Sequence, residues 1–483
     1  MKEYRAEICV IAAGPSGLAA AVQAAQMGAR VVVLEKASAV GGAANMGMGP
    51  LGIGTRFQKQ QMEDITVEKA FHMFMEYTHY NVDARLIKRY FSQSAETIDW
   101  LEKMGVEFEG AFRYFPKSEA TWHIVKTDQG IGPRAASFMN RALYKTAQSL
   151  GVTFLLEHPA KKILKDGGKV CGVLAQGPDG EEVTVFCQAA VICTGGAGAN
   201  PKMIEKETGL HHGENLFSFA IPGLAGDGLR MAWEAGADHT PVRIEMAADV
   251  GGGDPTTGGV TNIMKQPNLL VNRFGKRVMN EDYMQNTTYL SNVANHQKDH
   301  ICFSIVDTSI VSYYIQHGVD VTSMVTPDPD VSDFYDGIRM LQENGSKHYF
   351  VADTLDELAE KAGIDAENLK KTVSDYNYFC DFRDEEFFKD PRYLRPLFKA
   401  PYYAAAVHPG GYGTVGGIRI NENCEACGAD FLPVPGLYAA GADACNIYDD
   451  SYMFLLPGNS MGYAVNTGRI AAKSAVAYVH EKD

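Results

Sequence analysis

Two hydrophobic periods alternate along this chain, and the first fifty residues show both. Ile8 to Ala12 is an unbroken apolar run of strand length. A short turn, Ala12-Ala13-Gly14-Pro15-Ser16-Gly17, leads into Leu18 to Met27, an alanine-rich stretch of helical character. Arg30 to Leu34 is a second apolar strand, ending at Glu35. Together these predict a βαβ unit with a glycine turn at the mouth of its helix. That mouth leaves amide N–H groups free and carries the positive end of the helix dipole, which suits a pyrophosphate. Gly14 lets the backbone approach a ligand, and Gly17 lets helix pack on strand. Glu35, about twenty residues on, can accept hydrogen bonds from a ribose diol. The first glycine of the usual fingerprint is Ala12 here, and the turn is expected to hold it at negative φ.

After a glycine-rich loop, Gly41 to Gly49, the pattern is predominantly helical to Leu150, and Ala136 to Leu150 has clear three- and four-residue apolar spacing. Val152 to Gln176 predicts short strands, with Val170 to Ala175 as a hairpin arm and a turn around Pro178-Asp179-Gly180. Ala189 to Cys193 is a buried strand running into Thr194-Gly195-Gly196, and Gly226-Asp227-Gly228 opens a helix over Leu229 to Ala235. From about Asp238 the segments become short and mixed. Thr354-Leu355-Asp356-Glu357 is a capping box for one late helix, and Leu369, Val373 and Tyr376 line one face of the next. After Pro401 the earlier style returns, with strands at Gly416 to Ile420 and Gly436 to Gly441 and a last helix from Asn459 to Val479. The expected organisation is a nucleotide-binding domain, residues 1–237 and 401–483, carrying an inserted segment, 238–400.

At 483 residues the chain can bury two substantial cores. Its net charge of -15 argues against nucleic acid or an anionic membrane as partner. No apolar run is long enough to span a bilayer, and Met1-Lys2-Glu3 leads straight into the first strand, so a cytoplasmic protein is expected. The nine cysteines are scattered and odd in number, which argues against a disulfide framework. Cys9, Cys187 and Cys193 sit in apolar strands as core residues. Cys424 and Cys427 form the one C-x-x-C, without a second pair or a histidine for metal or haem; they are read as two loop thiols, a redox pair being the alternative.

The motifs also stand in a telling order. The dinucleotide turn is followed by Glu35-Lys36 and Gly41-Gly42, then by Thr194-Gly195-Gly196 and Gly226-Asp227-Gly228. Leu270-Val271-Asn272, Gly275-Lys276-Arg277, Asn280-Glu281, Gly413-Thr414-Val415-Gly416-Gly417, Gly436 to Gly441 and Pro457-Gly458-Asn459-Ser460 complete the series. This resembles the flavoprotein family of fumarate reductase, succinate dehydrogenase and 3-ketosteroid dehydrogenase over essentially the whole chain. The resemblance implies an α/β fold: a Rossmann-like FAD-binding domain with an inserted α+β capping domain that closes over the isoalloxazine. It places Gly14, Ser16 and Gly17 at the pyrophosphate, Glu35 at the adenosine ribose, Ala43, Ala44, Met48 and Gly49 under the flavin, and Lys36 and Gly42 among the cofactor contacts. Ala160 is expected at the adenine, Thr194 and Gly195 at the nucleotide end, Asp227 at the cofactor and Asp443 at a ribityl hydroxyl. Asn459, Ser460 and Met461 open the last helix, whose N–H groups would face the flavin N1–C2=O edge, where a reduced flavin carries negative charge. Respiratory members attach FAD through a histidine near Gly42; residues 41 to 55 contain none, so non-covalent FAD is expected. No haem or cluster motif is present, which implies an external electron donor or acceptor.

The resemblance breaks at the dicarboxylate clamp. Counted from the shared motifs, its histidine and arginine positions fall on Met264, Tyr412, Gly413, Leu455 and near Ala248 and Asp249. A buried carboxylate without cationic partners costs several kcal/mol, so fumarate and succinate are not the expected substrates. Tyrosines and apolar residues gather instead at Tyr412, Tyr448 and Tyr452 to Leu456. The expected chemistry is reduction or formation of a C=C bond conjugated to a neutral carbonyl, on a hydrophobic enone or ketosteroid-like substrate. Tyr412, Tyr452 or the N–H of Gly458 would polarise the carbonyl, and a tyrosine or Lys265 would move the proton. Two alternatives stand beside it: a reductase of an unsaturated monocarboxylate, with Lys265 or His408 as its cation, and a non-redox flavoprotein hydratase or isomerase.

Overall fold

Six short strands form the central sheet of the nucleotide-binding part, in the computed structural model, which describes residues 2–481. Their order is Glu425–Cys427, Pro433–Ala439, Ala189–Ile192, Ile8–Ile11, Val31–Leu34, Thr153–Leu155, all parallel except the first. The three strands Ala189–Ile192, Ile8–Ile11 and Val31–Leu34 are buried on both faces, which is why they read as continuous apolar runs rather than alternating ones. The first helix, Pro15–Gln26, and the last, Asn459–His480, pack together on this sheet. They meet at Gly468, where a Cβ would overlap the Ser16 carbonyl. A second sheet, Lys2–Arg5, Glu182–Phe186, Lys169–Gln176 and Ala160–Asp166, joins the same core.

The chain divides into two compact units. One runs to Gly209, takes in Phe219–Glu245 and resumes at Gly413; the other comprises Leu210–Ser218 and Met246–Tyr412. The second unit is built on an antiparallel sheet whose central strands, Cys302–Asp307 and Tyr402–His408, carry Leu269–Val271, Asp249–Val250 and Tyr349–Ala352 at their edges. Helices such as Leu355–Ala362 and Ala366–Asp381 cover it, and Leu369, Val373 and Tyr376 are buried as their spacing predicts. Thr354 caps the first of these by accepting from the Glu357 N–H, but the Glu357 carboxylate reaches the Asp353 N–H instead of closing the expected box.

A charge cluster lies inside this unit. The Arg277 guanidinium, 1% exposed, bonds Glu281 at 2.7 and 3.0 Å and Asp384 at 2.8 and 2.9 Å. The buried Lys389 ammonium bonds the Tyr376 hydroxyl at 2.7 Å and the Pro267 carbonyl. Two cations thus face two fully buried carboxylates, with the more exposed Glu386 3.3 Å from Arg277 as a third, the kind of pairing under which buried charge is tolerated.

Two local expectations are corrected, and a third gains a detail. Ala12 has φ 82°, not a negative value. Its N–H donates to Leu34 at 2.7 Å, and its carbonyl lies where a Cβ on Gly17 would be. Strand pairing on one side and helix packing on the other thus hold the left-handed turn that a glycine would adopt freely. The stretch before Leu150 is predominantly helical as expected, with one hairpin, Phe108–Phe112 and Trp122–Val125, set within it. Cys427 belongs to the strand Glu425–Cys427, and burial pushes the Cys424 and Cys427 thiols up to about 12 and about 11, so neither is a ready thiolate. Among the described residues no helix is long and apolar enough to cross a membrane, and no cluster could hold a metal ion.

Candidate active site and cofactor cradle

The glycine turn, the acidic residue and the loop after the second strand meet at one place. Glu35 is buried, and its carboxylate accepts from the N–H groups of Ala13 at 2.7 Å and Ala37 at 2.8 Å. Gly41 N–H donates to the Ala13 carbonyl, and a Cβ at Gly42 would sit 3.6 Å from the Gly14 Cα. Ser16, at the first turn of the helix, is buried beside Cys193. Ala160 starts a strand two residues after His158, whose N–H donates to the Glu35 carbonyl at 2.8 Å. The ribose acceptor and the expected adenine contact are therefore neighbours.

The Thr194–Gly196 turn is held by Asp443. This carboxylate is fully buried and accepts from the N–H groups of Thr194, Gly195 and Gly196 and from the Thr194 hydroxyl. Both oxygens are engaged in shaping the turn, so a ribityl hydroxyl would have to share them. Asp227 pairs with Lys36 at 2.7 Å and with Arg230 at 2.8 Å. That bridge ties the end of the second strand to the Gly226–Gly228 turn.

Met48 to Gly52 run alongside the hairpin strand Trp122–Val125. Met48 and Pro50 accept from Val125 and His123, each at 2.9 Å, and the Trp122 indole donates to Gly49 at 2.8 Å. Gly49 must be small, because a Cβ there would overlap the His123 carbonyl. The same segment touches the last helix. Leu51 N–H donates to Gly458 at 2.8 Å, and Gly47 faces the Met461 methyl. Gly458 has φ 80°, and a Cβ on it would meet Trp122 and the Pro50–Leu51 backbone. Ala43, Ala44, Met48, Gly49 and the helix start at Asn459, Ser460 and Met461 thus converge on one corner. Tyr90 holds the Asn459 side-chain oxygen at 3.0 Å, leaving the Asn459 Nδ2 buried without a partner among the described residues. This orphaned donor, the glycine cradle and the free helix mouth fit an extended dinucleotide carrying a flavin.

An aromatic wall stands at the same end of the unit. Tyr452 is buried, its ring 4.8 Å from Tyr448 and 5.6 Å from Phe454, while Phe454 meets Tyr114 at 4.6 Å. The Tyr77 hydroxyl fixes the Tyr452 carbonyl at 3.0 Å. From Asn446 to Gly468 the chain contains no cationic side chain. Glu245, which the sequence did not single out, is 8% exposed and accepts from the Ser460 and Tyr452 hydroxyls. Burial pushes its carboxyl up to about 7, against the pull of those two hydrogen bonds.

The other expected chemical residues lie in the second unit. Tyr412 is 38% exposed at its boundary. Lys265 is the C-cap of the helix Gly258–Met264 and is exposed. His408 is corrected as a candidate cation. It is buried against Phe217 and His348, neither ring nitrogen has a formed hydrogen bond, and desolvation lowers its pKa to about 4. At neutral pH it carries no charge.

The fold and this corner define a nucleotide-binding flavoprotein, and comparison with known proteins narrows the class. The chain belongs to the FAD binding domain family, whose model matches residues 7–461. It is 32% identical to the vinyl phenol reductase of Lactiplantibacillus plantarum, over 99% of this chain and 97% of that protein. It is 27% identical to a fumarate reductase (cytochrome) of Shewanella frigidimarina, over 98% of this chain and 77% of that protein. Among solved structures it is similar to the 3-ketosteroid-Δ4-(5α)-dehydrogenase of Rhodococcus jostii in complex with 4-androstene-3,17-dione, with TM-score 0.77 and 25% identity, over 99% and 98% of the two chains. The protein is an FAD-dependent oxidoreductase acting on C=C bonds.

Proposed function

We propose that this enzyme reduces a C=C bond conjugated to a neutral carbonyl on a flat, hydrophobic substrate, with FAD held non-covalently. The observation that carries the reading is the Tyr452 wall: a buried hydroxyl among aromatic rings, on a segment without one cationic side chain. Such a surface accepts an enone and rejects a carboxylate pair, whose desolvation it cannot offset. When bound, FAD supplies the electron pair, as hydride from N5. Tyr452 is the residue that gives the proton to the substrate carbon, being a neutral donor at pH 7 held in place by packing and by Tyr77. The Gly458 N–H is the proposed carbonyl polariser. Electrons come from an external donor.

A second substrate type is favoured by a separate observation. The Lactiplantibacillus plantarum relative is named for reduction of a vinyl phenol, and the rings of Tyr114, Tyr448, Tyr452 and Phe454 suit stacking on an aryl alkene. The unsaturated-monocarboxylate reading is left with Lys265 alone, since His408 is neutral.

The test is an anaerobic screen of reduced enzyme against enones, ketosteroids, vinyl phenols, enoates and fumarate, following the return of oxidised flavin absorbance. Rapid reoxidation by enones or vinyl phenols is expected. Rapid reoxidation by fumarate, with none by the neutral substrates, overturns the proposal.

A further inference from the structure

We propose that Glu245 is a positioning residue that supplies the proton Tyr452 spends, so that the two form a buried relay ending at the substrate. The inference rests on the reading of Tyr452 as proton donor and goes one group deeper. Glu245 closes the strand His239–Met246, where the side chains of His239, Pro241 and Arg243 face outward while Thr240, Val242 and Ile244 are buried. By that alternation Glu245 belongs on the solvent face. It is buried instead, with the Tyr452 and Ser460 hydroxyls as its hydrogen-bond partners.

The titratable groups that face it are the Cys445 thiol and the phenols of Tyr448 and Tyr452, with Tyr90 and Tyr463 behind Cys445. All are neutral at pH 7 in ordinary circumstances, and burial raises Cys445, Tyr448, Tyr90 and Tyr463 further. No cation in this cluster holds Glu245 ionised, so at neutral pH much of it keeps its proton. Burying a polar carboxyl group is costly even when it keeps its proton, and hydrogen bonding to Tyr452 gives it a task.

The step balances without a further reactant. Tyr452 O–H breaks and a C–H bond forms at the substrate carbon that does not receive hydride. The phenolate left behind takes the proton from the Glu245 carboxyl, re-forming Tyr452 O–H. The Glu245 carboxylate, accepting from Ser460, then regains a proton from water. Without Glu245 the phenolate must wait for solvent at a buried position.

The experiment compares wild type, Glu245→Gln, Glu245→Asp and Tyr452→Phe in turnover from pH 5.5 to 9, with flavin content and unfolding temperature as fold controls. Wild-type kcat should fall as pH rises through about 7. Glu245→Gln keeps the shape but has no proton to give; it should be slower by about tenfold or more and lose that limb, and Glu245→Asp should restore part of both. A readout independent of turnover is the infrared band of a protonated carboxyl in the resting protein. It should titrate near neutrality in wild type and be missing in Glu245→Gln. A wild-type rate and unchanged pH limb in Glu245→Gln overturn the relay, as does the absence of such a band from wild type at pH 6. If Tyr452→Phe is inactive while Glu245→Gln is normal, the relay alone fails. If Tyr452→Phe is fully active, the assignment of Tyr452 fails with it.

Discussion

Glu35 offers the sharpest test of how the cofactor cradle is built. Its carboxylate does more than wait for a ribose, because it already accepts the Ala13 and Ala37 N–H groups at 2.7 and 2.8 Å. Ala13 is fully buried, so removing its acceptor in Glu35→Ala leaves an orphaned N–H next to the glycine turn, at about 1.5–3 kcal/mol. Ala37 is exposed, and water can replace the carboxylate there for about 0.5–1 kcal/mol. The apo-protein should therefore lose about 2–4 kcal/mol of local or global stability before any ligand is present. Glu35→Gln retains one acceptor oxygen, which can serve Ala13, and should lose about 1 kcal/mol. Urea unfolding of apo-protein, paired with FAD titration by fluorescence, separates the two roles. A carboxylate that only binds ribose would leave apo stability unchanged and weaken FAD by about tenfold for each 1.4 kcal/mol. That outcome would refute the claim that Glu35 builds the turn.

Ala12→Gly should raise stability by up to about 1 kcal/mol, since a left-handed alanine costs roughly 1–2 kcal/mol and the added chain entropy of glycine returns part of it; a fall in the urea midpoint would contradict this. Arg277→Met removes the partner of two buried carboxylates and should destabilise the second unit by about 3–5 kcal/mol, read as a lower unfolding temperature and faster proteolysis within 246–412. Asp384 adds an acid limb. Desolvation works to raise its carboxyl, but hydrogen bonds from Arg277 and the Lys389 N–H hold it at about 2. Its folded pKa lies below the ordinary value, so its contribution is complete above about pH 4 and is lost as pH falls towards 2; acid unfolding should shift upward in Asp384→Asn. Gly458→Ala should cut FAD occupancy at fixed FAD, because its Cβ meets Trp122 and the Pro50–Leu51 backbone.

The βαβ unit was legible because every signal in it is local: apolar runs, a glycine turn and an acidic residue within thirty-five positions of the N-terminus. The motif series carried the family in the same way. The conformation of Ala12 was not legible, since it is imposed by Leu34 on one side and Gly17 on the other. The hairpin Phe108–Phe112 with Trp122–Val125 escaped because its strands are short and nine residues lie between them. Glu245 left no sequence signal at all. It follows an alternating strand at a position that alternation assigns to solvent, and its partners Tyr452 and Ser460 lie some two hundred residues further along the chain. Arg277 and Asp384, 107 positions apart, show the same limit, because opposite charges in a sequence do not declare which of them are buried together.

The order of strands in the central sheet sets a timetable for biosynthesis. Ile8–Ile11 and Val31–Leu34 emerge early, but their sheet is flanked by Ala189–Ile192 and then by Pro433–Ala439. The first helix waits for Asn459–His480, and the Thr194–Gly196 turn waits for Asp443. The second unit, Met246–Tyr412 for the most part, has its own core and is complete before Pro433–Ala439, Asp443 or the last helix leaves the ribosome. The nucleotide pocket is therefore the last part of the molecule to exist. Flavin uptake becomes a seal on finished synthesis, and a ribosome stalled before residue 440 holds a chain that has made its inserted unit but cannot yet retain the cofactor.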